Sequence, residues 1–369
     1  LCQTDGKPCN PQVVRFYMAG KIVDFLRRTM AQDDVQALVT EGGFAERRLT
    51  DRSSDQAAIR SNTDAFMQEV DVLAVGGKPI PRDEASQIIA LVSADCPSNV
   101  FVQGTAGQGK SFVLAQVVQG LREVGLPVLI LRLDCLPDET TADALGLAMG
   151  LAASPVHALC AVASPGPCVL VLDQVDAVSQ ASGRNPRLWT ALNALLADFA
   201  SMEGRADVRL VMACRSFDVE NDARIRALCT TGHDFETIEL ENLATDVVRE
   251  VLREAEYSPA SFSAQQLEVL RLPENLFLFL QSSQAGRPVF SCIHQLYEGF
   301  WDVKCSRCSQ TSNGTAQWYE LVQTMTDYLS RNQILAAPGS ILDPYQGVDV
   351  LCRENVLVRR HGMVRFFHE

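Results

Sequence analysis

No stretch of about eighteen consecutive apolar residues occurs in the 369-residue sequence, so no transmembrane helix is expected. No signal-peptide pattern, repeat period or low-complexity tract is visible either. Cations are outnumbered: 32 Lys and Arg stand against 45 Asp and Glu, a formal charge of -13. That excludes a general nucleic-acid coat, which needs a basic footprint, while leaving room for a local basic patch. No Ser/His/Asp triad or paired-carboxylate glycosidase pattern can be placed, and His157 and His233 have no evident partners. The twelve cysteines form no framework. Cys160, Cys168, Cys214 and Cys229 sit in apolar or helical stretches, which suits reduced thiols in a cytoplasmic protein. Cys305 and Cys308 make a single C-x-x-C with only Cys292 and His294 nearby. Two free thiols on a helix is the preferred reading over a four-ligand zinc site.

What is there reads as a folded protein, with 47% hydrophobic and 21% charged residues, long enough for two or three domains. The chain opens at Leu1 and stops just after a strand-like run at Phe366, Phe367, His368 and Glu369, as a piece of something longer would. Residues 1–74 are expected to be a helical region or linker, with Ile22 to Leu26 on one helix face and a loop at Thr50 to Asp55. Residues 75–242 alternate short apolar runs with longer amphipathic segments. Val100–Val102, Val128–Leu131, Val169–Leu172, Leu210–Ala213 and Thr237–Leu240 are strand-length and apolar enough to be covered on both faces. Strands alternating with helices predict an α/β fold built on a parallel sheet flanked by helices. Residues 243–290 read as a small helical domain. Residues 291–369 read as a winged-helix domain whose last two strands, near Val356–Val358 and Met363–Phe366, form a β-wing.

Between the first strand and the next helix lies Gly104-Thr105-Ala106-Gly107-Gln108-Gly109-Lys110-Ser111, which fits G-x-x-x-x-G-K-[ST] at every fixed position. The glycines let the backbone turn tightly and aim consecutive N–H groups at phosphate oxygens. Lys110 offers a positive charge to the β- and γ-phosphates, the Ser111 hydroxyl can ligate Mg²⁺, and the helix N-terminus adds its dipole. Phe112 completes the set of residues expected against the nucleotide, which is read as ATP or ADP.

The run Cys168 to Leu172 ends in Asp173, a carboxylate at a strand's C-terminal edge, where it would hold Mg²⁺ beside Ser111. Asp176 can orient or deprotonate an attacking water, or be a solvated carboxylate at a helix start. Gln174 follows Asp173 directly and cannot act as a base, which predicts slow hydrolysis. Arg215 ends the fourth strand, where a guanidinium can make bidentate contact with a γ-phosphate or simply face solvent.

Over roughly residues 75–369 this set resembles the signal-transduction ATPases with numerous domains, the STAND class of NACHT ATPases and innate-immunity receptors. Leu172-Asp173-Gln174-Val175-Asp176 is similar to the family's second motif, with Ala177 where a glutamate is usual, and Cys214-Arg215 resembles its sensor arginine. Ile80-Pro81-Arg82-Asp83-Glu84 is similar to the entry motif near the adenine. Arg271-Leu272-Pro273 resembles the helical-domain motif whose proline packs on the base, and Val364-Arg365-Phe366-Phe367-His368 the winged-helix motif whose histidine contacts the β-phosphate of ADP.

The resemblance implies an ATP-binding, ATP-hydrolysing switch of a signalling or defence protein, closed with ADP through Lys110, Pro273 and His368. With ATP it would open for self-association, and a sensed ligand would act through a region C-terminal to this chain. A nucleotide-binding scaffold with negligible turnover, favoured by Gln174 and Ala177, is one alternative. Another is an AAA-type ATPase acting on DNA through its winged helix, where Arg353, Arg359, Arg360 and Arg365 would either read DNA or form a solvated face; the solvated face is preferred.

Overall fold

The computed structural model describes residues 2–3, 17, 41, 44–45, 52–72, 79–94, 97–136, 139, 141–180, 187–202, 206–230, 235–282, 290, 292–311, 317–332, 336–345, 347–354, 356–360 and 362–366. The helix expected around Ile22 and the histidine His368 lie outside these residues.

Five strands form the central sheet: β1 (Asn99–Gly104), β2 (Val128–Arg132), β3 (Cys168–Asp173), β4 (Val208–Arg215) and β5 (Phe235–Glu239). All are parallel, in the order β2-β3-β4-β1-β5. Each of the five apolar runs read from the sequence is one of these strands. Their period of two sorts side chains onto opposite faces. Phe101, Leu129, Leu170 and Met212 enter one buried cluster, and Val100, Val102, Ile130, Val171 and Val211 enter the other. Helices α4 (Ala142–Ala148), α5 (Pro155–Ala163) and α6 (Arg187–Ser201) belong to the first layer. Helices α2 (Asp83–Ser93) and α3 (Lys110–Glu123) belong to the second.

A further helix, α1 (Arg52–Val72), lies in the N-terminal region expected to be helical and corrects only the loop expected at Thr50 to Asp55. Arg52 to Asp55 are its first turn, where the Asp55 carboxylate suits the positive helix end and accepts the Ala152 N–H at 2.7 Å. Ile59 packs in one sheet cluster, Phe66 and Val70 in the other, and Thr63 Oγ1 donates to the Val128 carbonyl at 3.3 Å. The helix is therefore part of the α/β layers rather than a linker before them.

Beyond β5 the core changes character. Helices α7 (Ser216–Asn221) and α8 (Ala223–Thr230) precede β5, and α9 (Thr245–Glu254), α10 (Ala264–Leu270) and α11 (Pro273–Ser282) follow it. The last three enclose a third cluster around Leu252, Leu270, Leu276 and Phe279. Helix α12 (Ile293–Thr311) then runs from this cluster, through Leu296, to a fourth, through Trp301. The fourth contains α13 (Gln317–Asn332), β6 (Ala336–Pro338), α14 (Val348–Arg353), β7 (Leu357–Arg360) and β8 (Met363–Phe366), with an antiparallel sheet ordered β6-β8-β7.

Candidate functional site

Strand register brings the site together. β1 inserts between β4 and β5, so Gly104 stands beside Arg215, and Arg132 stands beside Asp173 on the neighbouring pair. The C-terminal ends of four strands thus share one edge, where open α/β sheets form their ligand crevice. The loop after β1 enters α3 through Gly107 (φ 77°) and Gly109 (φ 83°), both in the left-handed region that other residues reach only at a cost. Lys110 Nζ donates to the carbonyls of Gly104 (2.9 Å) and Thr105 (2.8 Å), which folds the loop around its own cation. Burial lowers the pKa of Lys110, and the nearby Asp176 and Asp173 act against that shift.

Ser111 Oγ donates to Asp173 Oδ2 at 2.7 Å, and the Gln174 N–H donates to Asp173 Oδ1 at 2.8 Å. Burial pushes the Asp173 carboxyl up, partly opposed by Arg132 and by the Ser111 hydrogen bond. This hydroxyl–carboxylate pair, at the foot of a phosphate-type loop, suits a hard divalent cation that completes its shell with phosphate and water. Among the described residues no group of three or more His, Cys, Asp or Glu side chains can hold a metal by itself, Cys305 is in no disulfide, and the Cys308 side chain lies outside the description. Gln174 has a left-handed backbone (φ 57°) and lines the same pocket.

The two groups expected to act separately on water and γ-phosphate are paired with each other. Arg215 Nε lies 3.1 Å from Asp176 Oδ2, with Asp176 1% exposed. Asp176 is therefore not the solvated carboxylate that its helix-start position also allowed. Arg82 is similarly engaged. It donates to the carbonyls of Gln108 (3.3 Å) and Glu241 (2.7 Å) and pairs with Glu84 at 2.6 Å, so it braces the loop from the pocket wall.

Of the residues read from the sequence, Arg82, Ala106, Gly107, Gly109, Lys110, Ser111, Phe112, Asp173, Asp176, Arg215 and Pro273 line one pocket. Gly104, Thr105 and Gln108 instead face a second hollow with Arg226 and Glu239. There Gln108 Oε1 accepts the Thr105 N–H at 2.6 Å and Gln108 Nε2 donates to Asn242 Oδ1. The main pocket also contains Ile80, Arg132, Gln174, Leu243, Glu274, Phe277 and Arg365. By sequence Arg365 belongs to a solvated or DNA-facing tail. In the structure it turns inward from β8 and pairs with Asp134, and Asp134 also binds Arg132 at 2.9 Å. Arg353 and Arg359 remain on the outside. Arg132 had a legible signal, since it ends an apolar strand as Asp173 and Arg215 do; Arg365 was legible only as a neighbour of His368 in the winged-helix motif, and Glu274 had no signal.

This sheet, loop and carboxylate–hydroxyl pair define a P-loop NTPase fold of the α/β class. Residues 100–232 match the family model for the ATPase family associated with various cellular activities (AAA), a stretch from β1 through α8 that includes the loop, Asp173, Asp176 and Arg215. That stretch is similar to an AAA-type ATPase nucleotide-binding domain. Among solved structures, the chain is similar to AMPPCP-bound DnaA from Aquifex aeolicus (16% identity, 64% of this chain and 72% of that one, TM-score 0.39). It is also similar to the Aeropyrum pernix ORC1 protein in complex with DNA (14% identity, 83% and 89%, TM-score 0.38). No curated protein matches the sequence. No helix among the described residues is long and apolar enough to cross a membrane.

Proposed function

We propose that the pocket binds ATP and ADP with Mg²⁺ and that the chain is a slow ATPase whose bound nucleotide controls the packing of its C-terminal parts. The observation that carries this reading is the make-up of the pocket wall. The loop side supplies Lys110 and Ser111, α11 supplies Pro273 and Phe277, and β8 supplies Arg365, from three separately cored regions. A ligand in contact with all three biases their arrangement by its differential contacts, which is what a switch requires.

In this reading the loop N–H groups and Lys110 hold the phosphates, and Ser111 and Asp173 hold Mg²⁺, which supplies charge neutralisation to the transferred phosphoryl group. Pro273, Ile80 and Phe277 offer apolar surface to the base, and Arg82 stiffens the loop. Arg215, oriented by Asp176, reads the γ-phosphate. Gln174 at the position after Asp173 keeps turnover slow. The β6-β8-β7 unit is read as a winged helix, with His368 reaching the β-phosphate of ADP. The finer assignment to the signalling class, with opening and self-association on ATP, is supported by the order of the motifs along the chain. A DNA-reading wing finds less support, because Arg365 is committed to Asp134.

Lys110→Ala is the direct test. Titration calorimetry should show loss of most ATP and ADP affinity, with the far-ultraviolet circular dichroism unchanged. Retained affinity in a folded variant overturns the site.

A further inference from the structure

A carboxylate stands at the phosphate loop without a role in the reading above. Glu274 is the second residue of α11, and its backbone N–H donates to the Gly107 carbonyl at 3.1 Å, joining the helix start to the loop. Its side chain lies so close to the loop that a β-carbon on Gly107 would overlap the carboxylate oxygen. Pro273, one residue earlier, lies against Gly109. Glu274 shares the pocket lining with Lys110 and Arg215, and both cations are near enough to favour its charged form against the burial that raises its pKa. The Tyr297 hydroxyl, on α12, hydrogen-bonds to it.

We infer that Glu274 is a specificity-determining residue that sets the pocket's preference for a nucleoside diphosphate over a triphosphate, by holding a carboxylate among the cations a γ-phosphate would use. The inference rests on the nucleotide-binding reading above. Lys110 and Arg215 are the two cations assigned to the γ-phosphate, and in this arrangement Glu274 already draws on both. A diphosphate calls on Lys110 through its β-phosphate but leaves Arg215 to Glu274. A triphosphate brings a second anion to the same cations, and like charges forced together in a site of low dielectric are costly. The Glu274 carboxylate must then withdraw. Because its backbone N–H is bonded to the Gly107 carbonyl, withdrawal of the residue loosens the helix start from the loop. Preference and movement are thus two results of one contact.

The test is the affinity of the 369-residue chain for ADP and for a non-hydrolysable ATP analogue, each with Mg²⁺, in wild type, Glu274→Gln and Tyr297→Phe. Glutamine keeps the shape and a hydrogen bond to Tyr297 without the charge. Wild type should bind ADP more tightly. Glu274→Gln should raise affinity for the triphosphate by about tenfold or more, with ADP affinity changed less than about threefold. Tyr297→Phe, which only loosens the carboxylate, should shift the ratio in the same direction by less, and it keeps the test open if Glu274→Gln does not fold. Equal changes for both nucleotides, or a fall in triphosphate affinity, overturn the inference. Unchanged affinities with slowed turnover also overturn it, by making Glu274 a catalytic residue. If wild type binds neither nucleotide, the nucleotide reading itself fails and this inference fails with it.

Discussion

Burying a carboxylate without a cation costs several kcal/mol, so a group as enclosed as Asp176 needs a charged neighbour. Arg215 is that neighbour at 3.1 Å, and the pair lies in the pocket with Lys110. In the proposed reading Asp176 positions Arg215, and a double-mutant cycle distinguishes this from a general base. Arg215→Ala and Asp176→Asn should each slow phosphate release, by about 10- to 10²-fold, and the double variant should be no slower than the worse single one. Losses that multiply instead would give the two side chains independent roles and return Asp176 to water activation.

At the scale of elements, α11 matters most, because its N-terminus closes the phosphate loop while its middle is anchored in a separate core. Phe279 holds that anchor. Its ring centroid lies 5.1 Å from that of Tyr257, 5.4 Å from Phe262 and 5.5 Å from Phe290, in tilted and edge-on contacts that favour aromatic pairs. Phe279→Ala should destabilise this helical region by about 3–5 kcal/mol. Urea denaturation followed by circular dichroism should then show an early partial transition that wild type lacks, and ADP affinity should fall as Pro273 and Phe277 lose their support. A single unshifted transition would mean that α11 is held by the loop rather than by its own core.

For the whole molecule, the contact to watch joins the C-terminal sheet to the central one. Arg365 of β8 pairs with Asp134, in the turn after β2, and its Nη2 lies 3.7 Å from Cys135 Sγ. Burial and the Asp134 charge push the Cys135 thiol up to about 12, so it is almost wholly protonated at pH 8 and slow to alkylate. Separation of β8 would expose the thiol and bring it back toward the ordinary range near 8.5. Arg365→Ala removes a cation that favours the thiolate, so by charge alone it would slow alkylation of Cys135. If the Arg365–Asp134 pair holds β8 in place, the variant should instead speed it by about tenfold or more at pH 8, read site by site by mass spectrometry. Under the switch reading, a bound triphosphate should speed it in wild type and ADP should slow it. Equal rates in all these samples would mean that the C-terminal sheet stays docked whatever the pocket holds.

The sequence by itself determined the central strands and the phosphate loop. The apolar runs of β1 to β4 became parallel strands because burial on both faces leaves a local mark, whereas β5 is an edge strand that is mostly exposed, and Gly107 and Gly109 stand where the backbone demands φ above zero. Asp173 was legible because a carboxylate ending such a strand has few other uses. The tertiary structure decided everything that depends on register and docking. Arg132 reaches the pocket because its strand lies beside that of Asp173. Helix α1 joins the sheet layers although its first turn reads as polar loop, since Asp55 is satisfied by Ala152 in a distant turn. Arg215 and Asp176 became a pair, and Glu274 and Arg365 entered the site from regions with their own cores. Those contacts are made by packing between distant segments, and packing leaves no period or spacing in the residues that meet.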